Sequence, residues 1–498
     1  MQEYDTLAAV DLGSNSFHLQ IARVVDDQIY ELDSIKETVR LAAGFDADKS
    51  LSESAQETAL ASLNRFGERL RGFAPKAVRA VGTNALRVAR NCRSFLSRAE
   101  NALGFPIEVI AGREEARLIY VGVAHSLPAS KNHRLIVDIG GGSTECIIGA
   151  GLDPIHTESL YMGCVSHTQR YFPDGKISAS RMQKAELAAR AELQTITSEF
   201  AGTGWQEAFG SSGTARTVGE MIVQNGFGER EITPQAIARL RAALIAAGDW
   251  RDLTMAGLPS DRVPIIAGGF AIMAAAFEEL NIQRMGLSAY ALRHGVLFDM
   301  IGRAQHRDMR ESTTRQFLRR YQVDTAQAKR VETAALRLFE PLSGEMPESR
   351  REQAVQMLCW AARLHEIGIS IAYSGYHKHS AYIVRNADMP GFSRADQANL
   401  SLLLLGHRGS LGKLPTMVAT EDDWSLILAL RLAVLFNRRR ANRAAPPVAL
   451  FREDGRFRLE VDKDWLAQHP LSETALENEV DQWKTTGLKF RVEQTGNA

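Results

Sequence analysis

Apolar and polar positions fall into two matched blocks over the first 300 residues. Leu7–Val10 and Leu135–Val137 are short unbroken apolar runs, the pattern of buried strands. Each ends on an acid and passes through a Gly/Ser turn into a second apolar run. In the first block, residues 6–38 read as three strands with turns at Gly13–Asn15 and Asp26–Gln28. A helix over about Ser52–Arg71, a strand Ala77–Val81, a helix broken near Asn91, a strand Ile107–Ile110 and a helix from Arg113 follow. Residues 134–162 repeat the three-strand start, with turns near Gly140 and at Leu152–Pro154. Long helical patterns, a strand into Phe209–Gly213, and the run Ile265–Gly269 before an Ala-rich helix Ala271–Ala276 complete the second block. Gly268 and Gly269 there suit close backbone packing. Asp11 recurs as Asp138, 127 positions on. The order is that of a mixed α/β sheet built twice, the second copy with helical insertions.

Beyond this the periodicity changes. Gly302–Thr313 is polar and reads as a linker, and every periodic segment from Arg315 to about Phe436 is helical. Asn437–Pro447 is a second break. Val448–Phe451 and Phe457–Val461 flank Glu453-Asp454-Gly455, a hairpin signal, and a helix and a last strand, Leu488–Val492, finish a small α/β part. The expected parts are thus 1–120, 121–303, 312–437 and 443–498. At 498 residues the chain exceeds one core.

Composition narrows the function. With 59 basic and 59 acidic residues the net charge is zero, which excludes a general nucleic-acid binder but allows local basic patches for a polyanion. Cys92, Cys146, Cys164 and Cys359 have no paired spacing, which points to a reducing compartment and no structural zinc. No stretch is long and uncharged enough to span a bilayer, and the expected location is cytoplasmic, with peripheral membrane association as an option.

The chemistry gathers at the repeated turns, Asp11-Leu12-Gly13-Ser14-Asn15-Ser16 and Asp138-Ile139-Gly140-Gly141-Gly142-Ser143-Thr144-Glu145. Successive backbone N–H groups and hydroxyls in such turns form an anion-binding concavity, and the acids can hold a divalent cation or orient water. The other reading of either turn is an ordinary hairpin with a capping Asp. On the helix Gly112-Arg113-Glu114-Glu115-Ala116-Arg117, Glu114 is spaced to pair with Arg117 at the surface, so its loss is expected to be mild. Glu115 shares the inward stripe of Leu118, Ile119 and Gly122 and must meet a cation, a metal or a cleft. It suits a general base for water, or an acid satisfied by the helix dipole. Arg87, after Thr83-Asn84, can reach a phosphate bidentately or stand as a helix surface charge. Gly210-Ser211-Ser212-Gly213-Thr214 is a further strand-to-helix turn with donors.

These motifs, together with Ser288-x-x-Ala-Leu-Arg-x-Gly-Val, resemble the exopolyphosphatase/guanosine pentaphosphate phosphatase family, of the sugar kinase–Hsp70–actin ATPase superfamily. The resemblance covers nearly the whole chain. Met162-Gly163-Cys164-Val165-Ser166 and Tyr171-Phe172-Pro173 are most similar to the long proteobacterial exopolyphosphatases. It implies a duplicated actin-like fold followed by an all-α part like the His-Asp phosphohydrolases and a small α/β domain. It also implies Glu115 as catalytic base. Mg²⁺ falls on Asp138 and Glu145, with Asp11 beside them, and K⁺ is an activator. Phosphoryl groups fall on Gly13, Ser14, Asn15, Ser16, Arg87, Gly140, Gly141, Gly142, Ser143, Thr144 and Gly213. The implied reaction is hydrolysis of the terminal phosphoanhydride bond of inorganic polyphosphate, with the 5′-phosphate of pppGpp as the alternative and a homodimer as the expected assembly. A kinase of the superfamily or a non-catalytic sensor fits less well: no base-stacking aromatic marks an adenosine pocket, and a sensor has no use for Glu115.

In the helical part, Leu364-His365-Glu366-Ile367-Gly368 with His377, His379 and His407 resembles the His-Asp phosphohydrolases, but Glu366 and Gln327 stand where that pattern needs Asp and His. A domain without its own metal catalysis is expected. His377, Lys378, His379 and Arg408, with Arg438–Arg440, are candidates to line a polyphosphate channel, the other reading being a solvated helix face.

Overall fold

Alternating side chains of the predicted strands bury on opposite faces of two five-stranded sheets. The computed structural model describes residues 5–25, 28–304, 308–344, 346–418, 420–441, 445–453 and 455–496. The chain divides into two units, Met1–Asp308 and Met309–Ala498. In the first, β1 (Thr6–Leu12), β2 (Ser16–Val25), β3 (Gln28–Thr38), β4 (Val78–Gly82) and β5 (Ile107–Val109) form a sheet of order β3-β2-β1-β4-β5. Its second sheet contains β6 (His133–Ile139), β7 (Thr144–Ala150), β8 (Asp153–Leu160), β9 (Glu207–Ser211) and β10 (Gly286–Leu287), in the order β10-β9-β6-β7-β8. Each has three antiparallel strands and then two parallel ones, so the duplication read from the sequence is the topology.

Ala8, Val10 and Leu12 pack on helices Glu53–Arg69 and Cys92–Leu103, and Leu135, Val137 and Ile139 pack on Ala179–Thr203 and Ile266–Glu279. The opposite faces, through Leu7, Ala9, Ile136 and Ile147, meet in a shared layer with helices Gly112–Ser126 and Leu292–Ala304. Those two helices cross at backbone contact. A Cβ on Gly295 would stand 1.7 Å from the Leu118 carbonyl oxygen, and one on Gly122 would stand 2.3 Å from that of Ala291. This crossing sets Glu115 and Arg293 in one frame. Gly295→Ala should therefore destabilise the first unit by about 1–3 kcal/mol, read as a lower denaturation midpoint. An unchanged midpoint would mean that the crossing relaxes freely.

Two boundaries differ from expectation. Within the polar stretch 302–313, residues 302–304 and 309–313 are helical, because their polar groups find partners within the fold, as Arg303 does in Asp299 and Thr313 in the Pro390 carbonyl, while 305–307 lie outside the described residues. Ile265–Gly269 is not a lead-in to the Ala-rich helix: the helix begins at Ile266 and includes both glycines. A Cβ on Gly268 would fall 2.5 Å from the Thr168 backbone nitrogen, so these glycines do serve close packing. Positions 26–27 of the first expected turn and Asp454 of the last lie outside the described residues.

In the second unit, among the described residues, six long helices between Met309 and Phe436 precede a sheet of β11 (Val448–Glu453), β12 (Arg456–Asp462) and β13 (Phe490–Thr495). Leu450, Phe457 and Trp483 join the core of the helices. Among the described residues no helix is long and apolar enough to cross a membrane.

Candidate active site

The two repeated turns meet directly. A Cβ on Gly141 would lie 3.0 Å from Ser14 Cβ, and one on Gly142 would lie 2.4 Å from Asn84 Oδ1. Ser14 Oγ accepts the Ala85 N–H at 3.2 Å, tying the first turn to the helix that carries Arg87. The second turn is held from behind, where Gly140 and Gly141 carbonyls accept the N–H groups of Cys164 and Val165 at 2.8 and 2.9 Å. Ser14, Asn15, Ser16, Ser143 and Thr144 are all buried. The sheet register pairs Asp11 with His18 and Asp138 with Glu145, so the two copies present different chemistry at the same place.

Four carboxylates share this region. Asp138 is buried at the end of β6 and accepts a hydrogen bond from Ser211. Glu145 is buried on β7 and accepts the Ser159 hydroxyl at 2.8 Å. Asp11 Oδ1 is buried with no hydrogen-bond partner. Glu115, 7 % exposed, does face inward as its helical stripe predicts, and Arg87 Nη1 donates to its Oε2 at 2.5 Å. Arg87, expected at a phosphate, is thus already paired with Glu115.

Glu114 departs from expectation. It pairs with Arg117 as the spacing predicts, through two bonds of 2.8 Å, but both are buried. Arg117 also donates to Asp299 at 2.6 Å, and Asp299 receives Arg79 at 2.7 Å and Arg303 at 2.9 Å. The sequence spacing showed the pair; helix Leu292–Ala304 covers it.

Arginines close the other side. The Arg262 guanidinium lies over Gly213, where a Cβ would come within 1.8 Å of its Nη2. The strand-to-helix turn beneath, with Ser212 at φ 76°, uses its hydroxyls locally: Ser212 and Thr214 donate to the Ile139 carbonyl at 3.0 and 2.9 Å. Arg293 Nε is buried without a partner, and its charge reaches Asp11 and Asp138. Burial, then Arg293, Lys36, Arg262 and Arg216, push the His18 pKa down to about 2, so His18 is neutral within electrostatic reach of four cations. Sequence reading assigned no role to Arg262, Arg216 or Arg293, although Arg293 lay within the quoted Ser288–Val296 motif.

Asp11, Asp138 and Glu145 do not form a three-carboxylate cage: among the described residues no three His, Cys, Asp or Glu side chains are placed to hold a metal by themselves. Ser211 and Ser159 each occupy a carboxylate that the cage would need free. The donors still fit Mg²⁺, which takes one or two carboxylates and completes its shell with water and phosphate oxygens. Burial raises the Asp11 pKa to about 7 and that of Asp138 to about 6, and burial pushes Glu145 well above its ordinary value. Glu115 adds to all three shifts, a crowding of negative charge that a bound cation would relieve.

Folded Asp11 holds a proton that the unfolded chain releases near pH 4, so its contribution is full below that and is lost as pH rises toward 7. In EDTA, Asp11→Asn, which mimics the protonated form, should gain thermal stability relative to the parent from pH 5 to pH 7.5. A pH-independent difference would contradict the shift.

In the helical region, His365 and His407 each bond a backbone carbonyl through Nδ1 at 2.7 Å. Glu366 is bound by Arg440, and Gln327 donates to the Asn437 carbonyl at 2.9 Å. Lys378 and Arg408 are exposed, His377 and His379 half-buried, and Arg408 lies 5.0 Å over the Tyr376 ring.

Comparison with known proteins matches residues 20–304 to the Ppx/GppA phosphatase family and residues 309–480 to Ppx/GppA phosphatase, domain III. The chain is 38% identical to the guanosine-5′-triphosphate,3′-diphosphate pyrophosphatase of Vibrio cholerae, over 98% of each chain. Among solved structures, an exopolyphosphatase from Cytophaga hutchinsonii is 26% identical with a TM-score of 0.55, covering 59% of this chain and 97% of that one. The Aquifex aeolicus PPX-GPPA enzyme is 25% identical with a TM-score of 0.50, covering 59% and 98%.

Proposed function

Because the chain belongs to the Ppx/GppA phosphatase family, we propose that it removes the 5′-terminal phosphate of pppGpp, with inorganic polyphosphate as a second substrate of the same site. The observation that carries a hydrolytic reading is Glu115, a buried carboxylate held at one oxygen by Arg87 and set among Asp11, Asp138 and Glu145. The placing of pppGpp first rests on the Vibrio cholerae relative, whose likeness runs through both units and whose name specifies that nucleotide. Polyphosphate, first on motif grounds alone, keeps support from the Cytophaga hutchinsonii exopolyphosphatase.

In this reading Glu115 Oε1, which has no hydrogen bond among the described residues, accepts the proton of the attacking water. Oε2 stays fixed by Arg87. Buried Ser14, Asn15 and the Gly140–Gly142 backbone orient the terminal phosphoryl group in line with that water, and Arg262 and Arg293 take the charge of the remaining phosphates. A divalent cation, which Asp138 and Glu145 would hold with Asp11 beside them, would neutralise the phosphoryl oxygens.

Orthophosphate release from pppGpp and from long polyphosphate, assayed side by side with Mg²⁺ and with and without K⁺, tests the proposal. Faster release from pppGpp is expected. Release from neither substrate removes the hydrolase reading, and release from polyphosphate alone reverses the order.

A further inference from the structure

Two consecutive residues, Asp261 and Arg262, touch different sheets. Asp261 Oδ2 accepts a hydrogen bond from Lys36 Nζ at 2.8 Å, and Lys36 belongs to β3 of the first sheet. The Arg262 guanidinium lies on Gly213, just after β9 of the second. Strand register sets Asp11 opposite His18 and His18 opposite Lys36, so these three stand in one row across the first sheet. In the second sheet Asp138 stands opposite Ser211, two residues before Gly213. The Lys36–Asp261 pair thus joins the far ends of two rows that begin at the two strand-end acids.

The segment 255–263 is anchored at its base on the second sheet's side. Asn225 Nδ2 donates to the Ala256 carbonyl at 2.8 Å, and a Cβ on Gly257 would stand 2.7 Å from the Glu220 carbonyl carbon. Its tip is a turn in which the Arg262 and Val263 N–H groups donate to the Pro259 carbonyl at 2.9 and 3.2 Å. Arg262 is half-buried, its charge reaches His18 and Asp138, and its guanidinium makes no hydrogen bond among the described residues. Packing on Gly213 and the course of its own backbone are therefore what fix it.

We propose that Asp261 is a positioning residue: its pair with Lys36 registers the 255–263 segment, and with it the Arg262 guanidinium, against the first sheet. This rests on Arg262 taking substrate charge, which Arg262→Ala tests separately. The side chains of Lys36 and Asp261 are 42% and 28% exposed. A pair so exposed adds little to stability and transmits at most about a fivefold effect on binding.

Phosphate release from pppGpp and from polyphosphate is the first measurement. Asp261→Asn and Lys36→Met should each raise KM about fivefold and leave kcat within about twofold, since Arg262 holds phosphates that do not react. The double variant should be no worse than the weaker single one. Arg262→Ala should raise KM about tenfold or more, and Asp261→Asn should add nothing to it. The gap between parent and Asp261→Asn should close as salt rises from about 0.05 to about 0.5 M. Hydrogen exchange reads the same link without substrate: the Arg262 and Val263 amides should exchange faster in Asp261→Asn, with the denaturation midpoint unchanged. If Arg262→Ala raises KM but Asp261→Asn does not, or if their effects add, the register alone fails. If Arg262→Ala leaves KM unchanged, the assignment of substrate charge to Arg262 fails and takes the register with it. Unchanged exchange at 262–263 overturns the register whatever the substrate.

Discussion

Glu115→Gln should lower kcat about 10²–10⁴-fold and leave the fold intact, the range expected for loss of one positioned general base. The substitution keeps shape and volume. Its amide oxygen still accepts from Arg87 Nη1, so the buried guanidinium retains a partner. One negative charge is removed from a region where Asp11, Asp138 and Glu145 all feel Glu115, so folding stability should hold or rise slightly. Single-turnover phosphate release, with far-ultraviolet circular dichroism as a check of folding, is the measurement. A variant within tenfold of the parent would remove Glu115 from the chemistry. The neighbouring Glu114→Gln behaves in the opposite way. It leaves Arg117 short of charge in a buried network, and the effect should appear in stability rather than in turnover per folded molecule.

The largest stability effect should come from Asp299→Asn. Asp299 joins Arg117, Arg79 and Arg303, and it is almost fully buried. Burial alone would raise its pKa, but Arg117, Arg303 and Arg79 outweigh that and hold it far below the usual carboxylate range. Removing one member of a buried ionic group leaves the others uncompensated and costs about 3–5 kcal/mol. Because the pKa is depressed, this contribution is present above about pH 4 and is lost only as pH falls through the folded-state value. The difference between parent and variant should thus be constant from pH 5 to pH 8, unlike that of Asp11→Asn. Hydrogen exchange along helix Gly112–Ser126 reports it directly, since Glu114 and Arg117 lie on that helix. Unchanged protection there would show that Asp299 is dispensable.

Much of this unit was legible in the chain. Leu7–Val10 and Leu135–Val137 announced their strands because a residue buried on either face of a sheet has to be apolar. The Gly/Ser turns announced themselves because few other residues allow such close approach. Glu115 was readable as inward-facing because helical spacing places it on the stripe of Leu118 and Ile119. Even the asymmetry of the copies, His18 against Glu145, needed only their equal distance from the acids at the strand ends.

Partners across the fold were not legible. Glu114 and Arg117 are three residues apart, and their pairing was foreseen. Their burial depended on Asp299, 182 positions from Arg117, and on helix Leu292–Ala304. Gly213 read as part of a donor turn, but what covers it is Arg262. Arg87 read as free for phosphate, but one corner of it holds Glu115. The sequence by itself determined the repeat, the turns and the face on which Glu115 lies, since these are set by local periodicity and steric allowance within a strand or helix. Which charge stands opposite which, how deeply each is buried, and whether three acids gather into a cage were decided only by the tertiary structure. Coulombic and desolvation energies depend on distances between segments far apart in sequence, and spacing along the chain carries no information about those distances.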